Sequence, residues 1–140
     1  MELGLHCEYG MAARMTGPRP SRPVLLIDDN EDVRVSMKTL LELDGYQVIA
    51  AAEGEEALTR LRSGLDPCVI LLDMLMPGKD GLQFRAEQLA DPQFATIPTI
   101  AYSANPGLES KAVLLGLPFI KKPDLPGSVL DVVERYSRRD

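Results

Sequence analysis

Histidine, cysteine and long apolar runs are scarce in this sequence. One His and two Cys occur in 140 residues. Cys7 and Cys68 fit neither a zinc nor a redox spacing. Cys68 lies in the apolar run "PCVILLD", where it reads as a buried inert thiol, so no disulfide is expected. His6 sits in a segment without periodicity and reads as a tail residue, not a ligand or a catalytic base. No window approaches the eighteen or so consecutive apolar residues of a transmembrane helix. The N-terminus also lacks the basic-then-apolar layout of a signal peptide. A soluble, cytoplasmic protein is expected. Positive charge is scarce as well: residues 1–22 hold three Arg against two Glu, and the remaining 118 carry 12 basic and 19 acidic side chains, net −7. Such a body repels nucleic acid and anionic membrane.

What is present is apolar substance, 45% of the chain, enough for one globular domain. Residues 1–22, ending "TGPRPSRP", show no period and read as a disordered leader, with the folded domain over 23–140. From Val24 short apolar runs alternate with helical periods. The runs "VLLID", "YQVIAA", "CVILLD", "TIPTIAYSA" and "LPFIKK" are too short and too β-branched for buried helices. They also lack the polar alternation of a half-exposed strand, so they predict a parallel sheet covered on both faces. Between them, Val33, Met37, Leu40 and Leu41 make one apolar helical stripe, and Ala57, Leu58 and Leu61 make another. Val129, Val132, Val133 and Tyr136 do the same near the C-terminus. "GLQFRAEQLA" predicts a further helix with Leu82, Ala86 and Leu89 sharing its buried face, and a shorter helical portion runs from about residue 108 to 115. Five strands alternating with helices predict a doubly wound α/β domain, whose ligand site lies outside the carboxyl ends of the strands.

Those ends carry the chemistry. The first run ends in Asp28 and Asp29, the third in Asp73, the fourth in Ser103 and the fifth in Lys121 and Lys122. Taken singly, each has a plain structural use. The Asp pair could form a turn or cap a helix, Asp73 could cap the turn after it, Ser103 could finish a strand, and Lys122 could be a solvated charge. Taken together, three carboxylates brought to one place repel one another and force a proton onto at least one of them unless a cation intervenes. The donors are hard oxygens without Cys or His, which selects Mg²⁺ or Mn²⁺ over zinc or copper. Mg²⁺ held by one or two carboxylates leaves coordination sites for phosphate oxygens, which points to phosphoryl chemistry.

The segments "LLIDDNEDVR", "LLDMLMPGKDG", "AYSA" and "IKKP" resemble, in order, the four signature segments of receiver domains of two-component response regulators. The resemblance covers about Pro23 to Tyr136 and implies a flavodoxin-like strand order, 2-1-3-4-5. It implies that Asp73 is the phosphoacceptor, charged from a phosphohistidine on a sensor histidine kinase or a histidine phosphotransferase. It further implies Mg²⁺ held by Asp28, Asp29, Asp73 and the backbone carbonyl of Leu75, and a hydroxyl donor at Ser103 with the small Ala104 beside it. Lys122 would pair with the phosphoryl group, and Lys121 would point to the opposite face of its strand. Phe119 would be a switch aromatic, although an aromatic there packs whether or not it moves. Pro123 would follow a cis peptide bond. The output would be a protein partner, with neither nucleic acid nor membrane involved.

The chain also departs from the pattern it resembles. The stretch from Ser103 to Lys122 is a few residues short, so the fourth helix is expected to be truncated. Pro118 removes a backbone donor, which suits an edge strand. Asp124 stands where an apolar residue is usual. The chain ends at Asp140 directly after the last helix, which leads us to expect a stand-alone domain. Two other readings compete with this signalling switch, which is not a turnover enzyme. A phosphohydrolase of the haloacid dehalogenase type needs a second acid two residues after the nucleophile, and here that position is Leu75. A pseudo-receiver binding module does not need the intact set of acids, hydroxyl and lysine.

Overall fold

The apolar runs pair side by side. In the computed structural model, which describes residues 21–74, 81–103, 107–121 and 126–137 (backbone alone for 126–128), five parallel strands stand in the order β2-β1-β3-β4-β5. They are β1 (Val24–Ile27), β2 (Val48–Ala51), β3 (Val69–Asp73), β4 (Thr99–Ser103) and β5 (Phe119–Lys121). Five helices alternate with them: α1 (Glu31–Leu43), α2 (Gly54–Arg62), α3 (Gly81–Ala90), α4 (Gly107–Leu114) and α5 (Pro126–Ser137). This is the doubly wound α/β architecture predicted above, with the predicted strand order. The readings made for the leader up to residue 20 and for Leu75, Ala104, Lys122, Pro123 and Asp124 fall outside the described residues.

The sheet divides its side chains between two cores, as alternation in a strand requires. Val24 and Leu26 of β1, Val69 and Leu71 of β3, Ile100 and Tyr102 of β4 and Ile120 of β5 pack with Leu41 of α1 and with Val129, Leu130 and Val133 of α5. Leu25, Ile27, Ile70, Leu72 and Ala101 point the other way, onto Ala57, Leu58 and Leu61 of α2, Phe84 of α3, and Leu108 and Ala112 of α4. The central strands β1, β3 and β4 are buried along their whole length, whereas β2 and β5 at the edges are partly open. Pro118 precedes the edge strand β5, and its carbonyl accepts the Ala101 amide at 2.8 Å. The proline thus supplies an acceptor to β4 but has no N–H to donate there, which an edge strand tolerates at its first position.

The predicted helical stripes hold for α1, α2 and α5, where they pack against these cores. For α3 the predicted face holds only at Leu82, which packs against the core on that side of the sheet. Gly81, Phe84 and Gln88 are buried, while Ala86 is exposed and Leu89 is 48% exposed. The apolar area of Phe84 decides the rotation of this helix. Gln88 can follow it inward because its amide donates to the carbonyls of Phe94 (3.1 Å) and Ile97 (3.2 Å) in the turn leading to β4. Its Oε1 accepts from Arg85 Nη1 at 2.9 Å. A glutamine thus takes a core position by adding a second donor to backbone carbonyls that already accept from the Ile97 amide and from the Thr99 hydroxyl, so its own polar atoms are buried with partners. The truncation anticipated for the fourth helix corresponds to an α4 of eight residues.

Gly81 sets where α3 begins. A Cβ there would lie 2.6 Å from the Met74 Cα and 3.0 Å from the Asp73 carbonyl oxygen, so only glycine lets the helix start this close to the end of β3.

Two substitutions test these points. Gly81→Ala forces backbone apart beside Asp73 and should destabilise by roughly 1–3 kcal/mol, the range for overpacked sites; a urea midpoint equal to that of the parent chain would contradict it. Gln88→Leu keeps the volume but removes the two bonds to the Phe94 and Ile97 carbonyls, each contributing about 0.5–1.5 kcal/mol, so an expected loss of about 1–3 kcal/mol is measurable in the same unfolding experiment.

Candidate functional site

At the carboxyl ends of β1 and β3, the chain brings Asp28, Asp29 and Asp73 together. One carboxylate oxygen from each lies within 4.8 Å of the others. Oxygens on opposite sides of an octahedral Mg²⁺ shell are about 4.2 Å apart, so this cluster matches the span of such an ion with a small contraction or one bridging water. Asp28 is 0% and Asp73 4% exposed, while Asp29 is open to solvent. Two buried acids and one exposed acid, all oxygen donors, suit a hard divalent cation, and the exposed side leaves it an entrance.

The first acid is held by its own turn. The Asp28 amide continues the ladder to the Ala51 carbonyl at 3.1 Å. Its Oδ1 accepts the Asn30 amide at 2.9 Å, and its backbone carbonyl accepts Arg34 Nη1 at 2.8 Å. The N-cap of α1 is Asn30, whose side chain accepts the Val33 amide at 3.0 Å. Asn30 therefore takes the capping role that the acid pair might have filled, satisfying an orphan donor of the first turn. That leaves both aspartates of the pair to face the site.

The sequence reading missed one participant. Tyr102 of β4 donates its hydroxyl to Asp28 Oδ2 at 2.6 Å, a buried contact between residues 74 positions apart. Alternation explains how they meet: Leu26, Leu71 and Ile100 share one core, so Asp28, Asp73 and Tyr102, each two residues further along its own strand line, rise from that same face. Tyr102 is paired in register with Asp73, and its ring reaches past β3 to the end of β1. Burial pushes the Tyr102 phenol well above its usual pKa, and the charges of Asp28, Asp73 and Asp29 push it further. It is a protonated donor among acceptors. The available signal was a lone hydroxyl-bearing aromatic in an otherwise apolar strand, since a buried tyrosine hydroxyl usually finds a partner.

Ser103 ends the same strand and is 2% exposed. It follows Tyr102 and so belongs to the opposite face of the sheet, with Ala101. Lys121 is its register partner on β5 and is exposed. Phe119, paired with Ala101, is half-buried and packs against the core shared by α2, α3 and α4. The structure therefore brings the three acids to one point and sets Ser103 and Phe119 on the neighbouring strand ends. Leu75 and Lys122 lie outside the described residues.

The comparisons with known proteins agree with this fold. The family model described as "Response regulator receiver domain" matches residues 24–123. CpxR, a transcriptional regulatory protein of Escherichia coli strain K12, is 42% identical over 59 residues, which are 42% of this chain and 25% of that protein. The chain thus spans a quarter of that relative's length. Sporulation initiation phosphotransferase F of Bacillus subtilis is 28% identical over 114 residues, covering 81% of this chain and 91% of the relative. Among solved structures, the chemotaxis protein CheY4 of Vibrio cholerae superposes with a TM-score of 0.75 at 26% identity, over 84% of this chain and 99% of CheY4. With the family model matching well over half of its length, this chain belongs to the response regulator receiver domain family.

Proposed function

We propose that this chain is a phosphorylatable switch: Asp73 accepts a phosphoryl group from a phosphohistidine in a Mg²⁺-dependent reaction, and the altered surface signals to a protein partner. The observation that carries this reading is the convergence of Asp28, Asp29 and Asp73 within 4.8 Å of one another at the carboxyl edge of the sheet. Asp73 is the member on the central strand β3, followed by a Pro/Gly turn sequence. In this reading Asp28, Asp29, Asp73 and the Leu75 carbonyl hold the cation, which when bound neutralises phosphoryl oxygens.

The residues then have distinct tasks. An Asp73 carboxylate oxygen forms the new phosphorus–oxygen bond while the donor's phosphorus–nitrogen bond breaks, and the electron pair returns to the imidazole. Positioning and electrostatics supply most of such a transfer. Ser103 donates its hydroxyl to a phosphoryl oxygen, and Lys122 supplies the facing positive charge. Neither group reacts covalently. A phosphoryl group brings about −1.5 to −2 charge, and two charge-assisted hydrogen bonds of roughly 1.5–3 kcal/mol each contribute about 3–6 kcal/mol. Carrying a two-state equilibrium from 1:99 to 99:1 takes about 5.5 kcal/mol, so two such bonds are of the right size. In this reading Phe119 on β5 is the aromatic that turns when Ser103 shifts.

A sensor histidine kinase or a histidine phosphotransferase is the donor in this reading, and the setting is cytoplasmic. No helix among the described residues is long and apolar enough to cross a membrane. The Leu75 side chain can neither give nor take a proton, which disfavours repeated turnover of small phosphate esters.

Incubation with acetyl phosphate and Mg²⁺ should add the mass of one phosphoryl group, and the adduct should vanish in Asp73→Asn or with excess chelator. Continuous phosphate release would indicate a phosphohydrolase instead. No adduct from either acetyl phosphate or a phosphorylated histidine kinase would indicate a binding module. Beryllofluoride with Mg²⁺ should move the amide resonances around Ser103 and Phe119; unmoved resonances would sink the proposed switch.

A further inference from the structure

We infer that Tyr102 is a positioning residue of the cation site: its hydroxyl fixes the Asp28 carboxylate and shares its charge, so that the acids can stand together ready to receive a divalent ion. The inference rests on the reading of Asp28, Asp29 and Asp73 as a Mg²⁺ site.

The geometry is specific to that task. The 2.6 Å contact falls in the range of charge-assisted O–H···O⁻ bonds, the stronger class of hydrogen bond. Both residues are buried, Asp28 at 0% and Tyr102 at 2% exposure, so water does not compete for either partner. The other Asp28 oxygen already accepts the Asn30 amide. With both oxygens held, the carboxylate plane is set from two directions, by its own turn and by a strand two places away in the sheet. Strands at about 4.8 Å spacing put β4 roughly 10 Å from β1, and tyrosine supplies both the reach and a donor at the end of it. Phenylalanine would fill the same core space and leave Asp28 Oδ2 without this donor. Freed of the phenol, the carboxylate would turn away from Asp73 and Asp29 to lessen their repulsion, and a cation would then have to draw it back. A carboxylate ligand still has lone pairs to spare while accepting two hydrogen bonds, so Tyr102 orients Asp28 without blocking it. Outer partners of this kind commonly govern metal affinity.

The experiment compares Mg²⁺ binding by isothermal titration calorimetry in the parent chain, Tyr102→Phe and Val133→Ala. Val133 is buried in the same core as Tyr102 and touches none of the acids' chemistry, so it reports the effect of general destabilisation. Tyr102→Phe should weaken Mg²⁺ binding by about tenfold, the lower end of the range for lost outer-shell partners, while Val133→Ala should change it less than twofold. Equal or tighter binding in Tyr102→Phe overturns the inference, as does the same loss in Val133→Ala. A second measurement uses the unsubstituted protein and decides the matter if Tyr102→Phe does not fold. The ζ-carbon resonance of Tyr102 should shift as Mg²⁺ saturates the site, and a stationary resonance at saturation overturns the inference. Absence of any Mg²⁺ binding to the parent chain would instead remove the metal reading beneath it, which keeps the two failures apart.

Discussion

Two carboxylates buried side by side are the constraint to which the rest of this structure answers. Asp28 and Asp73 are almost wholly shielded from water, and shielding a negative charge without compensation is far more costly than any single packing gain can offset. At the carboxyl edge of the central strands the fold accepts this for two acids at once and compensates locally. The Asn30 amide and the Tyr102 hydroxyl hold one acid, and Asp29 keeps the cluster open to solvent and ions. Everything beneath is arranged to hold that edge still: three fully buried strands, two cores and a helix that starts almost in contact with β3.

The fold was legible because its elements are dictated by simple periods. The buried runs in β1 and β3 carry no polar residue until their ends, and the polar residues at the strand ends are what marked Asp28, Asp73 and Ser103 as candidates. The α1, α2 and α5 stripes were readable because apolar residues supply most of their buried faces. α3 was not, since its burial is shared between an aromatic and a glutamine, and a glutamine enters a core only through particular carbonyls that no local pattern announces. Asn30 was hidden by its neighbours: three consecutive residues, Asp28, Asp29 and Asn30, can all cap a helix, and only the backbone geometry chooses among them. Tyr102 was hidden for the opposite reason. An aromatic inside an apolar strand reads as core, which it is, and the hydroxyl partner lies 74 residues away.

The recognisable motif and the local physics address different parts of the site. The family match identifies the kind of domain. The contacts within this chain, such as the phenol on Asp28 and the Arg34 guanidinium on the Asp28 carbonyl, describe how its sequence meets the electrostatic demands of the clustered acids. A family match alone would assign the acids and pass over the groups that make them compatible.

β4 places Tyr102 and Ser103 next to each other in sequence and on opposite faces of the sheet. One looks toward the layer of α1 and α5, where the acids are, and the other toward the layer of α2, α3 and α4, where Phe119 packs. A single peptide unit therefore separates the two halves of the molecule at this edge. Because one planar peptide unit joins the two Cα atoms, a displacement of either residue is handed directly to its neighbour on the other face.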